Sequence, residues 1–174
     1  MISRPAGVVT LGGLRGTSLD VDELAFLKHY QPSGLTLFSR NISDHVAVLN
    51  RSVQEACGSS LPALIAVDQE GGRVSRLKGR GPDLGAPLRL CNGRADADAQ
   101  GEIRRYGIEL GEALRALGFN INFAPVVDVF DLEGDKAIGD RAFASEPQDV
   151  VARAGAMLEG LTTAGLLCSL KHFP

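Results

Sequence analysis

Residues 62–76 read PALIAVDQEGGRVSR, and they contain the strongest indication of how this chain folds. The run 62–67 is apolar without interruption, which is typical of a strand buried on both faces of a parallel sheet. It leads directly into Asp68, Gln69 and Glu70 and then into two glycines. Acidic and amide side chains at the end of a buried strand indicate a site at the carboxyl edge of such a sheet.

On either side of this stretch, short apolar runs alternate with longer segments of helical period. The runs predict strands over 7–12, 34–38, 62–67, 121–124 and 166–170. The helical segments predict helices over 21–30, 43–57, 99–117 and 148–164. The predicted apolar face of the first helix consists of Val21, Leu24, Phe26 and Leu27. That of the third is a stripe of Ile103, Tyr106, Leu110, Leu114 and Leu117. Asp20 is a predicted N-cap, and Gly58 ends the second helix. The alternation predicts an α/β fold with a parallel sheet.

Two architectures fit this order of elements: an open doubly wound sheet and a (β/α)₈ barrel. A barrel needs about 250 residues, so length alone favours the open sheet for a chain of 174 residues. The polar residues favour the barrel, because they follow several different strands, whereas an open sheet collects its ligand at one switch point. These residues are Ser39–Arg40–Asn41, Asp68–Gln69–Glu70, Asp128 and Lys171–His172.

Composition argues against several functional classes. The net charge of −3 does not favour a nucleic-acid or membrane-surface partner. No apolar run approaches the roughly 18–20 residues of a membrane span, and the N-terminus lacks the apolar core of a signal peptide. Cys57, Cys91 and Cys168 lie far apart, which fits a reducing compartment better than a disulfide framework or a cysteine zinc site. Dinucleotide, phosphate and metal motifs are missing from the sequence, so we expect neither cofactor nor metal.

The residues that follow the strands leave two interpretations open. Asp68 and Glu70 project to one side of an extended segment, and Arg73 or Arg76, returned by the two glycines, would offset their repulsion. Such a group can hold a vicinal diol, or it can be an ordinary salt bridge. The loop 136–143 is either part of the site or a solvated loop with an Asp140–Arg141 charge pair. The Lys171–His172 pair is either part of the site or an ordinary strand exit.

As a set, these motifs are similar to those of the bacterial β-N-acetylhexosaminidases of glycoside hydrolase family 3. The matching segments are 37–41 (LFSRN), 67–76 (VDQEGGRVSR), 123–128 (FAPVVD), 138–143 (IGDRAF) and 171–174 (KHFP). The resemblance implies a TIM-type (β/α)₈ barrel, of which this chain holds about the first five βα units. It also implies hydrolysis of terminal non-reducing β-linked N-acetylglucosamine, with peptidoglycan fragments as substrates, during recycling in the cytoplasm.

The resemblance places substrate-binding residues at Asp68, Arg76, Arg141, Lys171 and His172. Asp68 would accept hydrogen bonds from ring hydroxyls. The two arginines and Lys171 would donate to hydroxyl oxygens, and His172 would complete the floor of the pocket.

The resemblance places no catalytic residue in this chain. In the family, the Lys-His-Phe-Pro motif continues into a loop that carries a histidine general acid/base, and the aspartate nucleophile follows a later strand. We therefore expect residues 1–174 to be a single partial barrel domain, apparently truncated at its C-terminus and inactive alone. Its open edges would favour self-association. The alternative is a catalytically inactive partial barrel that binds sugar or a partner chain.

Overall fold

A computed structural model describes residues 13–58, 62–90, 96–131, 133 and 136–172. In chain order, its helices and strands are α1 (Val21–Tyr30), β1 (Gly34–Leu37), α2 (Val46–Cys57), β2 (Leu64–Val67), α3 (Pro87–Leu90), α4 (Asp96–Ala116), β3 (Ile121–Asn122), α5 (Pro147–Thr163) and β4 (Leu167–Cys168). A 3₁₀ turn at Ser39–Asn41 follows β1, and a second 3₁₀ turn at Gly139–Arg141 precedes α5.

The four described strands form one parallel sheet in the order β1-β2-β3-β4. Leu37 pairs with Val67, Val67 with Asn122, and Asn122 with Cys168, so all four strands end at one edge. Strand order equals chain order, and the sheet therefore grows in one direction without the reversal that defines a doubly wound fold. This is the wall of a TIM-type (β/α)₈ barrel, as predicted.

Most predicted elements are confirmed with small shifts at their ends, and the predicted strand 7–12 lies outside the described residues. The second helix begins at Val46 instead of residue 43, because the Ser43 hydroxyl accepts a hydrogen bond from His45 N and forms a turn there. The Gly- and Pro-containing stretch that follows β2 contains the short helix α3, which was not predicted. The last two strands are shorter than predicted, although pairing resumes in a bridge between Val126 and Lys171.

The helices lie against the sheet through apolar faces. The predicted stripe of α4 is confirmed, since Ile103, Tyr106, Leu110 and Leu114 are buried in the main core cluster. The face predicted for α1 is only partly buried: Leu27 is covered, but Val21, in the first turn, is 84% exposed. None of the helices described is long and apolar enough to cross a bilayer.

Helices α4 and α5 approach each other closely because glycines line their contact. A Cβ at Gly160 would overlap the carbonyl oxygen of Arg104 and lie 2.9 Å from Gly107 Cα. A Cβ at Gly107 would lie 2.8 Å from the carbonyl oxygen of Met157. Backbone therefore packs on backbone here, and a methyl group on either glycine would push the helices apart.

We expect Gly160→Ala to lower the free energy of unfolding by about 1–3 kcal/mol, the usual cost of overpacking a core. Gly155→Ala in the same helix is the matched control, because nothing lies within 4 Å of its Cβ position. That variant should gain up to about 1 kcal/mol, since alanine has the better helix propensity. Urea denaturation measures both, and equal effects would contradict the close packing of α4 on α5.

Candidate active-site pocket at the strand ends

The carboxyl ends of β2, β3 and β4 bring together side chains that lie up to 103 residues apart in the chain. Asp68 directly follows β2, Asp128 lies in the loop after β3, and Lys171 and His172 follow β4. Arg141 reaches the same place from the 3₁₀ turn that precedes α5. The register of the parallel strands accounts for the convergence, because every strand ends at the same edge.

The loop that follows β2 is shaped around the fully buried amide of Gln69. Its Oε1 accepts hydrogen bonds from Arg76 N (2.8 Å) and Leu77 N (3.1 Å), and its Nε2 donates to Ser75 Oγ at 2.9 Å. Asn122 on β3 binds the main chain of Gln69 from the other side, at 3.0 and 2.9 Å. The amide therefore ties the returning loop to the strand ends and gives Arg76 its position.

The two glycines of this loop form the tip of a narrow hairpin closed between Gly71 and Val74. Gly71 and Gly72 have φ values of 107° and 58°, a backbone region that favours glycine. A Cβ on Gly71 would lie 2.7 Å from Gly85 O, and one on Gly72 would lie 2.8 Å from Ala86 Cα. The hairpin thus packs directly on the 85–86 backbone.

Glu70 is the buried anion of the cluster, with a side chain only 1% exposed. Arg141 donates to it through Nε (2.8 Å) and Nη2 (2.9 Å), a bidentate pair, and Lys171 Nζ lies 2.5 Å from Oε1. The hydrogen bond to Glu70 raises the pKa of Arg141, although burial opposes that shift. The buried Glu70 carboxylate therefore holds two cations, Arg141 and Lys171, at the strand ends.

Asp68 lies above this buried pair and is the more accessible carboxylate. Lys171 Nζ donates to its Oδ1 at 2.7 Å, and Arg76 Nη2 lies 3.7 Å from its Oδ2. Lys171 therefore sits between Asp68 and Glu70 and relieves the repulsion expected between those carboxylates. The local arginines contribute less than predicted, since the neutralising groups come mainly from Arg141 and Lys171.

His172 links the cluster to Asp128. Its Nδ1 lies 2.7 Å from Asp128 Oδ2, its backbone N–H donates to the same oxygen at 3.2 Å, and its Nε2 lies 3.1 Å from Arg141 Nη2. The side chain of His172 is 43% exposed, so part of it remains open to solvent.

The loop 136–141 is held from below by Arg73 and not by a charge pair between Asp140 and Arg141. Arg73 Nη2 donates to the carbonyl oxygens of Ala137 (2.5 Å) and Ile138 (2.7 Å), and its Nε lies 3.1 Å from Asp140 Oδ1. The interpretation of this loop as an Asp140–Arg141 charge pair is therefore wrong, because Asp140 pairs with Arg73 and Arg141 pairs with Glu70. Arg141 is left to pair with the buried carboxylate instead.

The five predicted binding residues meet in one cluster at the strand ends, and three neighbours were not among them. Glu70 neutralises the cations, Asp128 holds the histidine, and Arg73 holds the loop. Asp128 stood out in the sequence as a polar residue after a strand, and Glu70 as one of two carboxylates in the same run. No signal in the sequence distinguishes Arg73 as the residue that binds the loop.

With His172 neutral, the pocket contains three anionic and three cationic side chains, so their charges cancel. Hydrogen-bonding capacity is nevertheless left over. Lys171 has three N–H donors, two of which face Asp68 and Glu70. Arg76 Nε is buried and has no partner among the described residues. Donors beside the partly open Asp68 carboxylate suit a neutral ligand rich in hydroxyl groups, since a hydroxyl both donates and accepts.

Within the described ranges, no group of three or more histidine, cysteine, aspartate or glutamate side chains is arranged to hold a metal ion. The cluster is built from alternating acids and bases, which satisfy one another directly.

Comparison with known proteins shows which family this chain resembles. The model of the "Glycosyl hydrolase family 3 N terminal domain" matches residues 11–174. A beta-hexosaminidase of Xanthomonas campestris pv. campestris is 38% identical over 165 residues, which is 93% of this chain and 49% of that protein. The chain therefore spans about half the length of the curated relatives that it matches.

Solved structures agree with the sequence comparison. NagZ from Neisseria gonorrhoeae, in complex with N-trifluoroacetyl-D-glucosamine, superimposes with a TM-score of 0.86 at 28% identity, over 95% of this chain and 50% of that one. LpqI of M tuberculosis superimposes with a TM-score of 0.79 at 36% identity, over 94% of this chain and 46% of that one.

Proposed function

The chain belongs to glycosyl hydrolase family 3, by its N-terminal domain, and from this premise we propose that it is the sugar-binding half of a β-N-acetylhexosaminidase. The observation that carries the proposal is the cluster at the strand ends. There the partly exposed Asp68 carboxylate lies beside N–H groups that have hydrogen-bonding capacity left over. The reaction is hydrolysis of terminal non-reducing β-linked N-acetylglucosamine. The beta-hexosaminidase relatives and the sugar analogue named with the Neisseria structure support this substrate class.

In this proposal five side chains bind the sugar. Asp68 accepts hydrogen bonds from ring hydroxyls through the oxygen that faces Arg76 across 3.7 Å. The guanidinium groups of Arg76 and Arg141 and the third N–H of Lys171 donate to hydroxyl oxygens. His172, with its partly exposed side chain, completes the floor. Glu70 is too deeply buried to touch the ligand, and it holds the two cations in place.

We propose that the groups which cleave the glycosidic bond lie outside residues 1–174. A retaining hydrolase needs a nucleophile and an acid/base on opposite sides of the bond. Asp68 and Glu70 are both already engaged with Lys171, and they follow the same strand. Glu70 is moreover only 1% exposed, so its carboxylate is too buried to reach a bound glycosidic bond.

We further propose that residues 1–174 form one partial barrel domain and that another polypeptide segment covers its last strand. On and beside β4, Leu167 and Leu170 are 55% and 52% exposed, and Val127 and Val129 are 38% and 42% exposed. An open parallel edge with apolar side chains tends to associate. The relatives, twice as long, suggest that remaining βα units cover this edge, and a second copy of the chain is the other possible cover.

Peptidoglycan fragments are the proposed substrates and the cytoplasm the proposed location. Cysteine usage supports a reducing compartment, since Cys57, Cys91 and Cys168 lie far apart in the sequence and include no CxxC pair. Burial raises the pKa of Cys168 to about 11, which keeps that thiol protonated and unreactive at neutral pH.

A fusion enzyme tests the proposed function directly. In it, residues 1–174 replace the matched half of the Xanthomonas campestris relative. We expect the folded fusion to hydrolyse 4-nitrophenyl β-N-acetylglucosaminide without added metal, and the 174-residue chain alone to show no turnover above buffer. The reason is that binding without the reacting groups does not stabilise the transition state. Release of 4-nitrophenolate measures both reactions.

The corresponding β-glucoside is the matched control substrate. A folded fusion that cleaves the glucoside but not the N-acetylglucosaminide would contradict the proposed specificity. Robust turnover by the 174-residue chain alone, abolished by Glu70→Ala, would contradict the proposal that the reacting groups lie outside residues 1–174. It would mean that Asp68 and Glu70 are themselves catalytic.

A further inference from the structure

His172 has a protein partner for each of its ring nitrogens. Nδ1 lies 2.7 Å from Asp128 Oδ2, and Nε2 lies 3.1 Å from Arg141 Nη2. The backbone N–H of His172 also donates to Asp128 Oδ2, so the same carboxylate oxygen holds both the main chain and the ring. The orientation of the imidazole is therefore set from two sides.

The two partners differ in what they can do. A carboxylate only accepts hydrogen bonds, so Nδ1 must carry a proton to bond with Asp128. A guanidinium only donates, so Nε2 must present its lone pair to Arg141. Arg141 stays charged, because the carboxylate of Glu70 beneath it raises its pKa. One protonation state satisfies both contacts, and a doubly protonated ring would set two donors against each other.

We infer that Asp128 is a positioning residue that holds His172 as the neutral imidazole with its proton on Nδ1. Nε2 then accepts from Arg141, and Arg141 is held over Glu70. The chain of contacts runs from Asp128 through His172 and Arg141 to Glu70, and from there through Lys171 to Asp68. Asp128 thus acts on the pocket through other side chains and does not need to touch the sugar.

This inference rests on the proposed function only for its consequence in sugar binding. There it predicts a direction: Nε2 of His172 has one lone pair, which accepts from Arg141, so a sugar hydroxyl can bond with Nε2 only by donating its proton in place of the Arg141 N–H. It also keeps the pocket electrically neutral, with three anionic side chains (Asp68, Glu70 and Asp128) facing three cationic ones (Arg76, Arg141 and Lys171). Protonation of His172 would add a positive charge directly beside Arg141.

Nitrogen NMR of the full 174-residue chain tests the inference without any assay of activity. Long-range ¹H–¹⁵N correlation spectra separate protonated from unprotonated ring nitrogens. The sequence has three histidines, so His172→Gln identifies the signals of interest. At pH 8 we expect a protonated Nδ1 and an unprotonated Nε2 in His172. A proton on Nε2, alone or together with one on Nδ1, would overturn the inference.

Asp128→Asn tests the part played by the carboxylate. An amide can donate to Nδ1, so we expect the single tautomer to be lost, with a proton appearing on Nε2. Asp44→Asn is the matched control, because Asp44 is 82% exposed and pairs only with Arg80 among the described residues; it should leave the His172 spectrum unchanged. A spectrum of Asp128→Asn identical to wild type would overturn the role of Asp128.

Should Asp128→Asn fail to fold, Asp128→Glu is the second variant. It keeps a carboxylate acceptor, so a folded Asp128→Glu protein should retain the Nδ1 proton. Loss of the Nδ1 proton in folded Asp128→Glu would count against the inference.

Kinetics of the fusion enzyme separate the inference from the proposed function. There Asp128→Asn should raise KM for the N-acetylglucosaminide by about 3- to 10-fold, the range of one net hydrogen bond, and leave kcat nearly unchanged. An unchanged KM would overturn the positioning role. If the fusion is folded but inactive while His172 shows the expected tautomer, the proposed function fails and the inference about Asp128 stands.

Discussion

Replacing Asp68 by Ala in the fusion enzyme should lower kcat/KM for 4-nitrophenyl β-N-acetylglucosaminide by about 10²- to 10⁴-fold. Asp68 is more accessible than Glu70, and in the proposed function it accepts hydrogen bonds from two sugar hydroxyls. A hydrogen bond to a charged group contributes about 1.5–3 kcal/mol, and each 1.4 kcal/mol corresponds to a factor of ten. Because these bonds form in the bound ground state as well, the loss should appear mainly as an increase in KM.

Two comparisons make the Asp68 result specific. Asp44→Ala removes an equally charged but exposed aspartate and should leave kcat/KM unchanged. Urea denaturation of the Asp68 variant shows whether loss of the Lys171 contact has also weakened the fold. A fall in kcat of more than about 10⁴-fold at constant KM would contradict a binding role and identify Asp68 as a reacting group.

Replacing Glu70 by Ala should lower the free energy of unfolding by about 3–5 kcal/mol, the usual result of removing one partner from a buried ion pair. The carboxylate is 1% exposed, and it neutralises Arg141 and Lys171, whose side chains are 14% and 15% exposed. Without it, Arg141 would keep its charge at a nearly buried position with no carboxylate in contact. Urea denaturation monitored by circular dichroism measures the change.

Glu109→Ala is the matched control for the Glu70 variant. Glu109 pairs with Arg105 one helical turn away, and both side chains are more than half exposed. Exposed pairs of this kind contribute about 0.3–0.5 kcal/mol. A Glu70→Ala effect as small as that of Glu109→Ala would show that solvent reaches the Glu70 carboxylate, and the buried ion pair would have to be abandoned.

The local sequence determined which segments form the fold. A helix from 21 to 30 beginning after Asp20 was predicted and is confirmed, because a capping aspartate and its Glu23 partner act within one turn. The stripe of α4 was predictable for a similar reason, since helical period and burial repeat over the same residues. Elements whose ends depend on neighbours, such as β4, were predicted too long.

The sequence also indicated where the pocket would lie. Polar residues directly after apolar strands place a site at the carboxyl edge, and parallel strands share that edge. Asp68 and Lys171 accordingly meet at 2.7 Å across 103 residues of chain. Their assignment to sugar binding came from the family resemblance and remains a prediction.

Only the tertiary structure decided which charges face one another. The sequence suggested that Arg73 or Arg76 would offset the two carboxylates, and Arg76 does lie 3.7 Å from Asp68. Glu70, however, is paired with Arg141, 71 residues away, and Arg73 binds the backbone of another loop. A charged side chain can satisfy itself with any opposite charge that the fold brings within reach. Spacing along the chain therefore predicts that a polar cluster forms. Which charges pair within the cluster depends on the strand register and on the loop conformations that follow from it.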